Sequence, residues 1–307
     1  MTSTRAPKLA ARSRRPGLQN APVGGASHRR EPPTHLVGRA LGGLRDLLLP
    51  AACAVCRAPV SGTLDGIVCA SCLAQVVAMP HPHCERCGHP RLSPSVPLPT
   101  GLSPTGAPDE LPPCRWCARL PSHVRAVRSV CRMDAGSGAA LVHALKYEGW
   151  AGVAPSMAAR MARLHLPRDV TEERSALIPV PLAPTRERER GYNQAERLAS
   201  ALAAHWHLPV WRDVLTRTRH TRSQVRLTPS ERTGNVSHAF RANPSARARL
   251  LGAHVVLVDD VITTASTLNA SADALVAGGA RIISYITFGR APEPGDRTVP
   301  DLDFDQD

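Results

Sequence analysis

No stretch of this chain leaves fewer options than Val255 to Leu268. It begins with four consecutive apolar residues, Val255, Val256, Leu257 and Val258, three of them β-branched. A run of that kind, with no polar alternation, reads as a strand covered on both faces, the habit of parallel sheets in α/β domains. Two carboxylates, Asp259 and Asp260, follow at its C-terminal end, where open α/β sheets place their ligands. Thr263, Thr264, Ala265, Ser266 and Thr267 make a short loop of hydroxyl-bearing and small residues. Leu268, Ala272, Leu275 and Val276 then recur at helical spacing. A small-residue loop feeding a helix N-terminus offers free backbone N–H groups and the positive end of the dipole, a cradle for phosphate. Carboxylates beside it suit ribose hydroxyls, a hydrated Mg²⁺, or both. The plainer alternative, a buried strand ending in two solvated aspartates, does not explain why the four features arrive together in this order.

The front of the chain carries a second signal. Eight of its nine cysteines form four Cys-x-x-Cys pairs: Cys53/Cys56, Cys69/Cys72, Cys84/Cys87 and Cys114/Cys117. Such a pattern in a chain without a secretory leader binds metal rather than forming disulfides. Twelve residues separate the first pair from the second, a comfortable ribbon spacing for one tetrahedral zinc. The third and fourth are 26 residues apart, which reads as a flexible insertion, 91–113, within the second site. Sequential pairing (53, 56, 69, 72 and 84, 87, 114, 117) is expected; a cross-braced arrangement stays open on spacing alone. Four thiolates close the shell, so two structural Zn²⁺ ions are expected, each worth ~10–16 kcal/mol of folding energy. His81, His83 and His89 read as solvated neighbours, and Cys131 as a buried small hydrophobe.

Residues 1–38 hold seven Lys or Arg before any acid and almost no apolar periodicity, and read as a disordered basic leader. Residues 291–307 read as a disordered acidic tail. The cysteine-rich module would occupy 39–123, opening on a short helix over 36–49, and an α/β domain 124–290. No run approaches the ~18 apolar residues of a membrane span, and no signal-peptide stretch is seen, so a cytoplasmic location is expected. A net charge of +13 favours polyanionic partners.

Within the α/β domain, strands are expected over 127–133, 177–182 and 280–288, and helices after Gly138, over 154–164 and from Ala195. Between Leu182 and Ala195 lie Arg186, Arg188 and Arg190, then Gly191-Tyr192-Asn193-Gln194. An arginine-rich loop before a helix N-terminus makes a second anion-binding corner; a solvated Arg/Glu alternation is the plainer alternative. The polar, basic stretch from Thr216 to Phe240 contains Arg217, Arg219, Arg222, Gln224, Arg232 and Asn235, and reads as a functional lid or binding loop.

Val255 to Leu268 resembles the 5-phosphoribosyl-1-pyrophosphate (PRPP) motif of type I phosphoribosyltransferases, with Ala265 where most members carry Gly. The Cys-x-x-Cys pairs, Lys146-Tyr147, Pro179-Val180-Pro181, the Arg190–Gln194 run, the Gln224/Arg232/Asn235/Phe240 series and this motif occur in one order. Together they resemble the ComF family over roughly residues 44–290. The resemblance implies a type I phosphoribosyltransferase fold, a mostly parallel sheet flanked by helices, behind a Cys₄ zinc module. It implies a 5-phosphate held by Thr263, Thr264, Ala265, Ser266 and Thr267, ribose hydroxyls held by Asp259 and Asp260 with Mg²⁺, and pyrophosphate met by Arg188 and Arg190. Transfer to an unidentified acceptor, in DNA uptake, competence or use of DNA as nutrient, is the implied activity. The other class of function is a non-catalytic PRPP-sensing or single-stranded-DNA-handling module that docks onto a partner such as a competence helicase.

Overall fold

The computed structural model describes residues 52–60, 67–91, 114–133, 136–218 and 239–292. The basic leader, the helix expected over 36–49, and most of the 91–113 insertion and of the acidic tail lie outside them. All described residues fall in one compact unit, Pro50–Asp307. Helix α1 (Ala70–Ala74) lies in the cysteine-rich module and strand β1 (Val124–Arg132) follows it. In order come α2 (Ser137–Tyr147), α3 (Ala154–Met161), α4 (Arg168–Glu173), β2 (Arg174–Pro179), α5 (Pro184–Arg190) and α6 (Gln194–Trp206). Then follow β3 (Leu215–Arg217), β4 (Phe240–Ala242), α7 (Arg247–Leu250), β5 (His254–Ile262), α8 (Ser266–Ala277) and β6 (Ile282–Arg290). No helix among the described residues is long and apolar enough to cross a membrane.

Four strands form one sheet in the order β1-β6-β5-β2, every neighbour parallel. The apolar run of β5 explains its central place. Val255 and Leu257 pack toward α8 through Leu268, Ala272 and Leu275. Val256 and Val258 pack on the other face with Leu141 and Leu145 of α2, Met157 of α3 and Leu198 of α6. All four β5 side chains are fully buried, worth about 1.5–3 kcal/mol each. Helices therefore cover both faces, as the resemblance implies. A two-stranded antiparallel ribbon, β3 with β4, packs against α8.

Three local outcomes differ from expectation. The strand expected over 177–182 begins at Arg174, directly after α4, and ends at Pro179. Val180 donates one more bond to the Val258 carbonyl, and Pro181 has no N–H with which to continue. The arginine-rich segment is helix α5 rather than a loop. Pro184 sits in its first turn, Arg186 and Glu189 lie 3.9 Å apart at i,i+3, and Gly191 ends it at φ 80°. His89 is not solvated: it is buried and stacked on Trp116, ring centres 6.4 Å apart.

The cysteine-rich module sits on the outer edge of β1. Met79 N–H donates to Val130 O at 3.0 Å and Val127 N–H to Arg86 O at 2.8 Å. Gly88 makes this approach feasible: its φ is +66°, and a Cβ there would lie 2.5 Å from Val127 O.

Candidate functional site

The eight paired thiols gather in sequence order. Cys53, Cys56, Cys69 and Cys72 form one group and Cys84, Cys87, Cys114 and Cys117 another, with all sulfurs of a group within 4.8 Å of one another. Sγ–Sγ separations are 3.7 Å for Cys56–Cys69, 3.5 Å for Cys84–Cys117 and 3.4 Å for Cys87–Cys114. A tetrahedron with Zn–S bonds of ~2.3 Å has edges of about 3.8 Å, so each group fits one Zn²⁺. Backbone N–H groups of Val55 and Cys69 donate to Cys53 Sγ, both at 3.4 Å. Burial raises the Cys53 thiol, but N–H donors from Cys69, Cys56 and Val55 outweigh it and bring it down to about 6. The Cys53 thiolate is thus favoured, whereas burial pushes the Cys72 thiol of the same group up to about 12. Four sulfurs leave no open coordination position, which marks structural sites.

The second site is built at the C-terminal end of the sheet. β5 runs on through both aspartates to Ile262, because Asp259 and Val261 still pair with Thr287 and Gly289 of β6. Successive side chains of a strand point to opposite faces, so Asp259 and Asp260 part company. Asp260 lies on the α2 face, buried, with Oδ2 2.8 Å from Lys146 Nζ and Oδ1 accepting Val261 N–H at 2.8 Å. Burial works against the Lys146 charge, but Asp260 more than offsets it and holds the ammonium above its ordinary pKa. Asp259 lies on the α8 face, half-buried, with Oδ1 accepting Asp260 N–H at 2.9 Å. Burial first, then the neighbouring Asp260 charge, hold its carboxyl well above the usual carboxylate range.

Beyond Ile262 the loop turns into α8. Thr263 is exposed, Thr264, Ser266 and Thr267 are half-buried, and Thr264 Oγ1 lies 2.9 Å from Ser266 Oγ. Ala265 occupies the N-cap position in the left-handed conformation, φ 65° and ψ 1°. The departure from Gly therefore falls where an L-residue is strained, at ~1–2 kcal/mol. The first N–H groups of this 12-residue helix have no partner within the helix and face the sheet end with its positive pole.

Lys146 also lines a cavity of about 330 Å³ with Tyr147, Gly149, Arg186, Glu189 and Arg190. Its walls come from the end of α2 and from α5. The Arg190–Gln194 run holds these walls together. Gly191 ends α5, Tyr192 Oη donates to Leu145 O on α2, Asn193 caps α6 by accepting Ala195 N–H at 3.0 Å, and Arg190 donates to Gln194 Oε1. Arg190 also lies 5.6 Å from the Tyr147 ring centre. Of the two arginines expected on the pyrophosphate side, Arg190 lines the cavity, whereas Arg188 is exposed and does not. Arg217, on β3, faces the Phe240 ring at 5.3 Å; burial holds its guanidinium below the ordinary arginine value, with the Asp259 charge opposing that in part. Arg219, Arg222, Gln224, Arg232 and Asn235 lie outside the described residues.

Sequence reasoning did not assign Lys146, Tyr147 or Glu189 to the site, and named Arg186 only as part of the arginine-rich corner, behind Arg188 and Arg190. The available signal was a basic-aromatic pair at the end of a helix, two residues before Gly149, which takes φ 70°.

A family model described as "Phosphoribosyl transferase domain" matches residues 188–303, and one described as "Double zinc ribbon domain" matches residues 44–118. The DNA utilization protein YhgH of Salmonella typhimurium (strain LT2) is 32% identical over 247 residues, 77% of this chain and 96% of that protein. Competence protein F of Haemophilus influenzae is 42% identical over 94 residues, 31% of this chain and 41% of that protein. Competence protein ComFC of Bacillus subtilis is 34% identical over 116 residues, 38% of this chain and 44% of that protein. With a parallel sheet flanked by helices behind two Cys₄ clusters, and a near full-length relative at this identity, the chain belongs to the ComF family, with a type I phosphoribosyltransferase fold and an N-terminal double zinc ribbon.

Proposed function

We propose that this chain binds PRPP together with Mg²⁺ and transfers its 5-phosphoribosyl group to a nitrogen nucleophile, in the cytoplasm, in support of DNA utilisation or uptake. The observation that carries this is the meeting, at one sheet end, of the α8 N-terminus, two aspartates and a cavity lined by Lys146, Arg186 and Arg190. Thr263, Thr264, Ser266 and Thr267, with the N–H groups around Ala265, would hold the 5-phosphate. Asp259, the aspartate outside the lysine pair, would take the ribose hydroxyls and the Mg²⁺ shell, and Asp260 would act on the same ring through Lys146. Mg²⁺, when bound, neutralises the departing pyrophosphate. Breaking the C1–O bond generates oxocarbenium character, so the residues here serve mainly to position groups and balance charge. Arg217 would lie beside Asp259, and the segment carrying Arg219, Arg222, Gln224, Arg232 and Asn235 would exclude water from a centre where hydrolysis competes.

A second reading draws on the Lys146–Asp260 pair itself. One of the two carboxylates is already engaged, which suits a module that senses PRPP without turnover. The basic charge of the chain suits a polyanion, and two relatives are named for DNA utilization and for competence; handling of single-stranded DNA with a helicase as partner is the form this second reading takes. Calorimetry with Mg–PRPP, followed by a screen of nucleobases and amines for pyrophosphate release, separates the two. Binding without release under any acceptor supports the sensor. Heat unchanged in Asp259→Asn/Asp260→Asn refutes the ligand assignment.

A further inference from the structure

Helix α2 delivers Lys146 to the site, and the first zinc ribbon holds both of its ends. At the N-terminal end, Ser137 Oγ donates to Gln75 Oε1 at 3.2 Å. Gln75 is the C-cap of α1, the helix that carries Cys72. At the C-terminal end, Arg57 donates to Glu148 Oε2 at 2.9 Å and lies 5.0 Å over the Trp150 ring. Arg57 immediately follows Cys56 and takes φ 63°, its N–H donating to Cys53 O at 2.9 Å. Its side chain therefore leaves the knuckle in a direction set by the metal-binding turn. Cys53 and Cys72 also share an apolar cluster with Leu141 and Leu145, on the buried side of α2.

The second ribbon touches the other half of the site. Asn269 of α8 donates to Arg119 O at 2.7 Å, just past Cys117. Arg290 of β6 donates to Cys87 O and lies 4.3 Å over Trp116.

We infer that the two zinc sites tune the two halves of the ligand site separately, the first acting as a positioning device for Lys146 through Arg57 and Gln75. Loss of the first metal removes the ribbon's hold on both ends of α2, leaving Tyr192 on Leu145 O, and lets Lys146 drift from Asp260 and the cavity, while α8 keeps its support from the second ribbon. The ligand half of this inference rests on the phosphoribosyl reading proposed above; the mechanical half does not.

The test uses the full chain with Cys56→Ser for the first site and Cys114→Ser for the second, each checked by metal analysis for loss of one zinc. Hydrogen exchange is followed over 137–150 and 266–277, and inorganic pyrophosphate and ribose 5-phosphate are titrated separately. Cys56→Ser is expected to speed exchange over 137–150 only and to weaken pyrophosphate roughly tenfold, leaving ribose 5-phosphate unchanged. Cys114→Ser is expected to do the reverse. Arg57→Ala keeps every thiolate and carries the test if Cys56→Ser does not fold. It should weaken pyrophosphate about two- to fivefold with both zincs retained, and Arg57→Lys should recover part of the loss. Exchange that rises equally in both helices in either cysteine variant, or pyrophosphate affinity unmoved in Arg57→Ala, overturns the inference. If neither anion binds the unmodified chain while exchange still splits by site, the phosphoribosyl reading falls and the brace stands.

Discussion

Replacing Lys146 by Met removes one partner of the most enclosed ion pair at the sheet end. The Asp260 side chain is 5% exposed and that of Lys146 23%. Removing one member of a fully buried pair costs about 3–5 kcal/mol, because the remaining charge stays desolvated. Two features lighten that here: the partial exposure of the lysine, and the Val261 N–H that Asp260 retains. A loss of about 2–3 kcal/mol is therefore expected, or about 4–12 °C in melting temperature for a domain of this size. Adding Asp260→Asn to Lys146→Met removes the stranded charge. The double variant should then be more stable than the sum of the single losses by at least about 1 kcal/mol. Urea midpoints at constant m, with zinc present throughout, measure all four corners of the cycle. A coupling below about 0.5 kcal/mol would refute the claim that the pair is desolvated and would return Asp260 to the ligand without competition.

Three further outcomes follow from single residues. Ala265→Gly should raise stability by about 0.5–1 kcal/mol, the relief of a left-handed alanine less the unfolded-state entropy of glycine; a lower urea midpoint would contradict the backbone assignment. Gly88→Ala should cost at least about 2 kcal/mol, since it combines φ +66° with a Cβ 2.5 Å from Val127 O, and normal stability would mean that the ribbon does not rest on β1 as described. Asp259, an acid held above its ordinary pKa, weakens the fold increasingly as pH rises past the unfolded value of about 3.9. Asp259→Asn should therefore stabilise at neutral pH, with the gain vanishing as pH falls toward that value; a gain independent of pH excludes the titration.

Much of this was legible in the chain. The β5–α8 unit was, because its apolar run, acids, hydroxyl loop and helix are contiguous and each obeys a local rule. The zinc ligands were too, since Cys-x-x-Cys geometry is local and only the joining of pairs is not. What the sequence concealed is long-range. Lys146 on α2 meets Asp260 on β5, more than a third of the chain away, and no periodicity marks such a contact. The acids at 259 and 260 read as the end of the strand. Pairing with β6 carries the strand through them to Ile262 and thereby turns the two carboxylates to opposite faces. Alternating Arg and Glu from 186 to 190 read as loop; a proline in the first turn and a glycine stop make it a helix.

The seating of the cysteine-rich module on β1 has a consequence for how the chain must be made. Without it, the outermost strand of a parallel sheet would offer unsatisfied N–H and C=O groups, Val127 N–H and Val130 O among them, to any neighbouring molecule. Zinc supply during synthesis is therefore expected to bear on solubility through this edge. Cells starved of the metal should accumulate this protein as aggregate.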